Sequence, residues 1–193
     1  MDGLETLIGM ARTDFVERSP LTRDALTFAA DCHEGQTRDI DSIPFVTHPV
    51  EVACLLHEAG YSDEVVAAGV LHDVLEDTKA ERRDLEERFG PGVAGLVAAV
   101  SDDPSIEDDA ERKAALRAQV ARAGDGAAAV FAADKVSKAR ELRMRMDYGR
   151  FQRSDAAKLR HYEASLDMLD ELMPGHQLVD DLRAELDVVH ALP

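Results

Sequence analysis

Proline and glycine stand between the periodic stretches of this chain, and that punctuation leaves room for helices and little else. Ser19-Pro20, Gly35, Pro49, Gly60, Gly90, Gly124 with Gly126, and Pro174-Gly175 mark joints. Between them, apolar residues recur at helical spacing. The pattern predicts helices near 2–17, from Pro20 to about Glu34 with Thr22 as a cap, from Pro49 to Gly60, and over 63–77. Further helices are expected at about 81–88, 91–100, 108–121, 126–143, 155–172 and 177–190. No convincing strand alternation appears; VFAAD has strand propensity, but its alanines favour helix. The fold class expected is all-α, a bundle of about eight to ten helices. No repeat and no Pro/Gly/Ser-rich linker divides 1–193, so a single domain is expected.

Composition narrows the function classes. The 193 residues are 45% apolar and 32% charged, a globular balance. No apolar run reaches membrane-span length, and the acidic, interrupted N-terminus resembles no leader. Cys32 and Cys54 are too few for a disulfide framework, and a soluble cytoplasmic protein is expected. With 39 acidic and 22 basic residues the formal charge is −17. A surface of that sign repels nucleic acid and anionic lipid, so neither is an expected partner. Residues 135–160 run against the trend, with nine basic and three acidic residues. Such a patch focuses a small anion, although a solvated helix face is the commoner meaning of a basic run.

The helix over 63–77 carries the chemistry. It is apolar on more than one stripe, which marks it as buried, yet it contains His72-Asp73 in GVLHDVLEDT. Burying an ionisable pair costs several kcal/mol unless a partner or metal compensates. Glu76 and Asp77 follow at spacings that return to the same helix face. Crowded carboxylates favour a divalent cation. The dipeptide alone is weak, since chance gives about 0.8 His-Asp pairs in such a chain; its apolar setting is the stronger sign. His33 ends the second helix and Asp134 follows AAAVFAA. Taken singly, a helix-end histidine is a C-terminal cap, and Asp134 a capping or salt-bridged acid. Two His and two Asp together suit Mn²⁺, Fe²⁺, Mg²⁺ or Zn²⁺.

Three segments, HEGQTR (33–38), PFVTHP (44–49) and LHDVLEDT (71–78), with Phe89-Gly90 and Ala133-Asp134-Lys135, keep a characteristic order and spacing. In these the chain resembles the HD-domain phosphohydrolases, in particular the RelA/SpoT hydrolase domain and the stand-alone small alarmone hydrolases. The resemblance covers about 20–165. It implies an all-helical HD bundle around one buried divalent metal, most often Mn²⁺, with His33, His72, Asp73 and Asp134 as ligands. It implies that Glu76 and Asp77 stand beside the attacking water and the scissile phosphate. The implied reaction removes the 3′-pyrophosphate from a small nucleotide such as ppGpp; the alternative is another phosphoester, releasing orthophosphate. By position Lys138, Lys158 and Tyr162 resemble substrate contacts, with Arg23 and Arg38 as further basic candidates. His48, beside Pro49, reads as a helix cap near the site rather than a ligand. Arg112 and Lys113 read as a solvated face, and His161 as a packed or surface histidine.

Two positions depart from the family. Its Arg-Lys pair for guanine, nine and eight residues before the first ligand histidine, falls on Asp24 and Ala25, with Arg23 one place earlier. A one-residue shift turns a helical side chain by about 100°. Lys138 stands where the family has Asn, exchanging hydrogen-bond geometry for charge. Guanine and adenine alarmones therefore both stay open. A homodimer suits a small enzyme of this kind, though no sequence feature specifies one.

Overall fold

The computed structural model describes residues 14–191, so the part of the expected 2–17 helix before Asp14 lies outside the described residues. Among those described, ten helical segments follow one another and eight exceed five residues. They are α1 (Asp14–Arg18), α2 (Pro20–Cys32), α3 (Thr47–Glu58), α4 (Asp63–Leu71), α5 (Val74–Asp77), α6 (Arg82–Val100), α7 (Asp109–Ala123), α8 (Asp125–Asp147), α9 (Arg153–Leu172) and α10 (Gln177–Ala191). The all-α expectation holds; the extended pairing described is an isolated bridge between Thr37 and Pro44. No helix among the described residues is long and apolar enough to cross a membrane.

The chain forms two compact units, Met1–Ala98 and Ala99–Pro193. In the first, α4 packs against both α2 and α3. Its core is aliphatic: Leu26, Val52, Leu56, Val66, Val70, Leu71 and Val74 are almost fully buried. Gly69 permits the approach of α4 to α3, since a Cβ there would overlap Leu56. In the second unit α8 packs against α7, α9 and α10. Its buried face is Ala127–Ala133 with Val136, and the partners supply Leu116, Val120, Leu169, Leu178 and Leu182.

Local chemistry explains where the boundaries differ from those expected. The cap of α2 is Ser19, whose hydroxyl accepts from the Thr22 N–H at 3.2 Å, and Pro20 fills the first turn. Thr22 is buried rather than capping. The third helix starts at Thr47, so His48 and Pro49 lie inside its first turn and His48 is not the cap. A proline is tolerated there because first-turn N–H groups have no intrahelical acceptor. The expected helix over 63–77 breaks at His72-Asp73. The His72 ring takes the Gly69 carbonyl at 2.8 Å, an acceptor in the helical ladder. Gly90 breaks α6 as expected, at φ 83° and ψ 166°, a conformation open to glycine and costly for other residues.

Candidate metal centre and phosphate pocket

The break in α4 places a buried pair beside an exposed pair. His72 and Asp73 are each 4% exposed, whereas Glu76 and Asp77, one turn later, face solvent. The His72 Nδ1 must carry a proton to donate to the Gly69 carbonyl. This leaves the Nε2 lone pair pointing away, the tautomer a metal needs. That Nε2 lies 3.1 Å from Asp73 Oδ2 and 3.2 Å from His48 Nε2. His48 Nε2 is itself 3.4 Å from Asp73 Oδ2. Two imidazole nitrogens and a carboxylate oxygen thus converge inside an apolar core. A lone pair facing a carboxylate at this distance calls for a cation or a proton between them. The donor set is that of a borderline divalent ion, so these residues fit the metal the resemblance implies.

His33 stands at the C-cap of α2, 3% exposed. Its Nδ1 bonds Gln36 Oε1 at 2.8 Å, its ring tilts against Phe45, and its Nε2 is buried without a hydrogen-bond partner. Its tautomer is therefore also that of a ligand, although the ring is held by Gln36. Of the implied ligands in the first unit, the structure brings His72 and Asp73 together and adds His48. Sequence reading set His48 aside because Pro49 made it look like a cap. The signal that could have found it was its place on a first turn two residues longer. Arg23 is exposed on α2, and Arg38 is half-buried in the turn closed by Arg38 N–H to the Ile43 carbonyl at 2.9 Å. Asp24 is engaged by Arg88 in a two-pronged contact of 2.6 and 3.0 Å.

The second unit holds Asp134, 4% exposed on α8. Its carboxylate accepts from Lys135 Nζ at 2.5 Å and lies 2.9 Å from Lys138 Nζ. Burial holds the Lys135 ammonium below the usual lysine range, and Asp134 opposes that only in part. Beside this trio opens a cavity of about 390 Å³ lined by Asp109, Lys113, Lys135, Lys138, Ser154, Ala157, Lys158, His161 and Tyr162. Three of the substrate residues named from sequence, Lys138, Lys158 and Tyr162, therefore meet in one pocket. Tyr162 is buried, and desolvation raises its phenol above the usual range, so it keeps its proton to donate. Lys113 and His161 also line the pocket, which sequence reading missed. Lys113 reaches it while paired with Asp102 at 2.5 Å. His161 is pushed down to about 2, first by desolvation and then by Lys135 and Arg117. It stays neutral, and its Nδ1 accepts from Arg117 Nη1 at 2.7 Å. Four lysine side chains, a phenol and a neutral imidazole line the pocket, together with the Asp109 carboxylate.

The sequence matches the HD domain family over residues 25–157, more than half of the chain. The chain belongs to the HD domain family. Among similar proteins, the guanosine-3′,5′-bis(diphosphate) 3′-pyrophosphohydrolase MESH1 of Drosophila melanogaster is 40% identical over 129 residues, 65% of this chain and 72% of that protein. Its Homo sapiens counterpart is 40% identical over 122 residues, 62% of this chain and 68% of that protein. The bifunctional (p)ppGpp synthase/hydrolase SpoT of Escherichia coli is 47% identical over 94 residues, 48% of this chain. This chain spans only 13% of the SpoT protein's length. A solved metazoan ortholog of SpoT, described as hydrolysing ppGpp and acting in starvation responses, superposes with a TM-score of 0.73 at 29% identity. The superposition covers 90% of this chain and 96% of that one.

Proposed function

We propose that this chain is a metal-dependent hydrolase, acting as one domain, that removes the 3′-pyrophosphate from guanosine or adenosine 3′,5′-bispyrophosphates. The products are pyrophosphate and a nucleoside 5′-diphosphate, or a 5′-triphosphate where the substrate carries a 5′-triphosphate. The observation that carries the reading is the convergence of His48, His72 and Asp73 within 3.1–3.4 Å in a buried core. The names of the MESH1 and SpoT relatives supply the substrate class. Manganese is the proposed ion, with a cytoplasmic setting and a homodimer as parts of the reading that rest on composition and size.

The resemblance names His33, His72, Asp73 and Asp134 as ligands. The geometry favours His48 in the place of His33, giving His48, His72 and Asp73 as the first-unit ligands; Asp134 is added by the resemblance. Counted from His48, the family's guanine pair falls on Asp39 and Ile40, directly after Arg38. That moves the basic candidate for the base from Arg23 to Arg38. A bound divalent ion polarises the phosphoryl oxygen and brings water towards ionisation at neutral pH. Of the exposed acids Glu76 and Asp77, one takes a proton from the attacking water and the other returns one to the departing ribose oxygen. Lys138, Lys158 and Tyr162 hold the phosphates through charge-assisted bonds and a phenol donor.

Metal-free and Mn²⁺-loaded protein, given ppGpp and ppApp side by side, tests this, with products resolved by anion exchange and His72→Ala as control. Mn²⁺-dependent pyrophosphate release, lost in the variant, is expected. Orthophosphate release would favour the phosphoester alternative, and no turnover from metal-loaded protein would sink the reading. Metal content of His48→Ala and His33→Ala decides between the two ligand sets.

A further inference from the structure

Gln36 has no part in the reading above, yet it joins two pieces of the site. It lies in the turn after α2, half-buried. Its side-chain Nε2 donates to the Asp77 carbonyl at 3.0 Å, across 41 residues of sequence. That bond fixes the orientation of the amide, so Oε1 faces the other way and takes the Nδ1 proton of His33 at 2.8 Å. His33 is a firm anchor: it is 3% exposed, and its ring centroid lies 4.7 Å from that of Phe45.

The other end of this relay needs an anchor. Asp77 ends α5, a helix of four residues, far too short to hold its shape unaided. Thr78 then leaves helical space at φ −132° and ψ −173°. The Asp77 carbonyl lies at the C-terminus of that helix, and Gln36 donates to it. The Asp77 side chain hangs from the same residue and faces solvent. A displacement of about 1 Å in a catalytic group can cost about 10²-fold in rate.

We propose that Gln36 is a positioning residue, tying the Asp77 main chain to the buried His33 ring and so setting where the Asp77 carboxylate stands. The catalytic consequence rests on the hydrolase reading above; the anchoring does not. Gln36→Leu removes both bonds. Gln36→Glu keeps the acceptor for His33 but loses the donor to Asp77. His33→Asn retains a donor near the Nδ1 position, whereas His33→Phe has none.

The test is steady-state hydrolysis of ppGpp by the Mn²⁺-loaded full chain, paired with nucleotide-free hydrogen exchange over residues 74–81. Gln36→Leu and Gln36→Glu should lower kcat about 10–100-fold, with KM within about twofold and metal content unchanged. Exchange should quicken over 74–81, and His33→Asn should recover most of the kcat that His33→Phe loses. Unchanged exchange in both Gln36 variants overturns the proposal, whatever happens to kcat, because the main chain of Asp77 is then not held by Gln36. A rise in KM alone, or loss of metal, also overturns it. If the wild-type protein fails to hydrolyse ppGpp, the hydrolase reading falls by itself. The exchange result then decides the anchor, faster exchange supporting it and unchanged exchange refuting it.

Discussion

Asp134→Asn should be among the most destabilising single changes in the second unit. The carboxylate is 4% exposed and lies 2.5 Å from Lys135 Nζ and 2.9 Å from Lys138 Nζ. Lys138 is one-third exposed and can turn to water, but Lys135 cannot. Its side chain is 6% exposed, its Nζ sits 4.3 Å above the Phe131 ring, and the neighbouring charges of Lys138 and Lys113 are positive. Removing the one negative partner strands an ammonium in the core, and breaking a buried pair in this way costs about 3–5 kcal/mol. Loss of the Lys135 proton, which burial already favours, limits the damage to that range. Against a domain stability of about 5–15 kcal/mol this is a large fraction. Lys135→Met alone leaves Asp134 with Lys138 and should cost less. The double variant Asp134→Asn/Lys135→Met removes the stranded charge, so it should be more stable than Asp134→Asn by at least about 2 kcal/mol. The assay is urea unfolding of metal-free protein followed by far-UV circular dichroism, which keeps metal loss out of the comparison. A cost for Asp134→Asn below about 1 kcal/mol, or a double variant equal to the sum of the singles, would refute the reasoning.

Two further outcomes follow from the pocket. His161 is held at about 2 in the folded chain against an ordinary 6.5, so the unfolded chain binds a proton that the folded chain refuses. Its contribution is full above about pH 6.5 and is lost as pH falls below it, by up to about 1.4 kcal/mol per pH unit. Acid unfolding of His161→Leu should therefore begin at lower pH than in the wild type, and coincident curves would count against a neutral buried imidazole. Tyr162→Phe keeps the packing and removes one donor, so KM for the nucleotide should rise about 5–10-fold, corresponding to a hydrogen bond of about 1 kcal/mol or more. Initial-rate kinetics check this, and an unchanged KM would remove Tyr162 from the substrate contacts.

The helix boundaries were largely legible because they are set locally, by Pro20, Gly90, Gly124 and Pro174. The break at His72-Asp73 was not legible, because it depends on a ring capturing the Gly69 carbonyl. Apolar periodicity carries no record of such a bond. His48 joins His72 only through the packing of α3 on α4, across 24 residues of sequence. The basic run 135–160 pointed to the pocket but could not sort its members. Lys135, Lys138 and Lys158 line it. Arg140 and Arg143 turn instead to Glu185, and Arg145 to Glu141. Which side of α8 and α9 faces the cavity is a matter of long-range packing. Lys113 and His161 reach it from segments that local pattern assigned to ordinary surfaces.

The break after Leu71 also bears on how such a chain can change over generations. His72 and Asp73 are built into the core, so altering them puts folding at risk. Glu76 and Asp77 lie a turn away at the exposed surface, outside that core. On the proposed reading, two surface substitutions would silence turnover and leave the scaffold whole, giving a receptor for the same nucleotide. The reverse journey is equally short. On that reading, the identities at 76 and 77 would tell an enzyme from a receptor better than the buried His-Asp pair does.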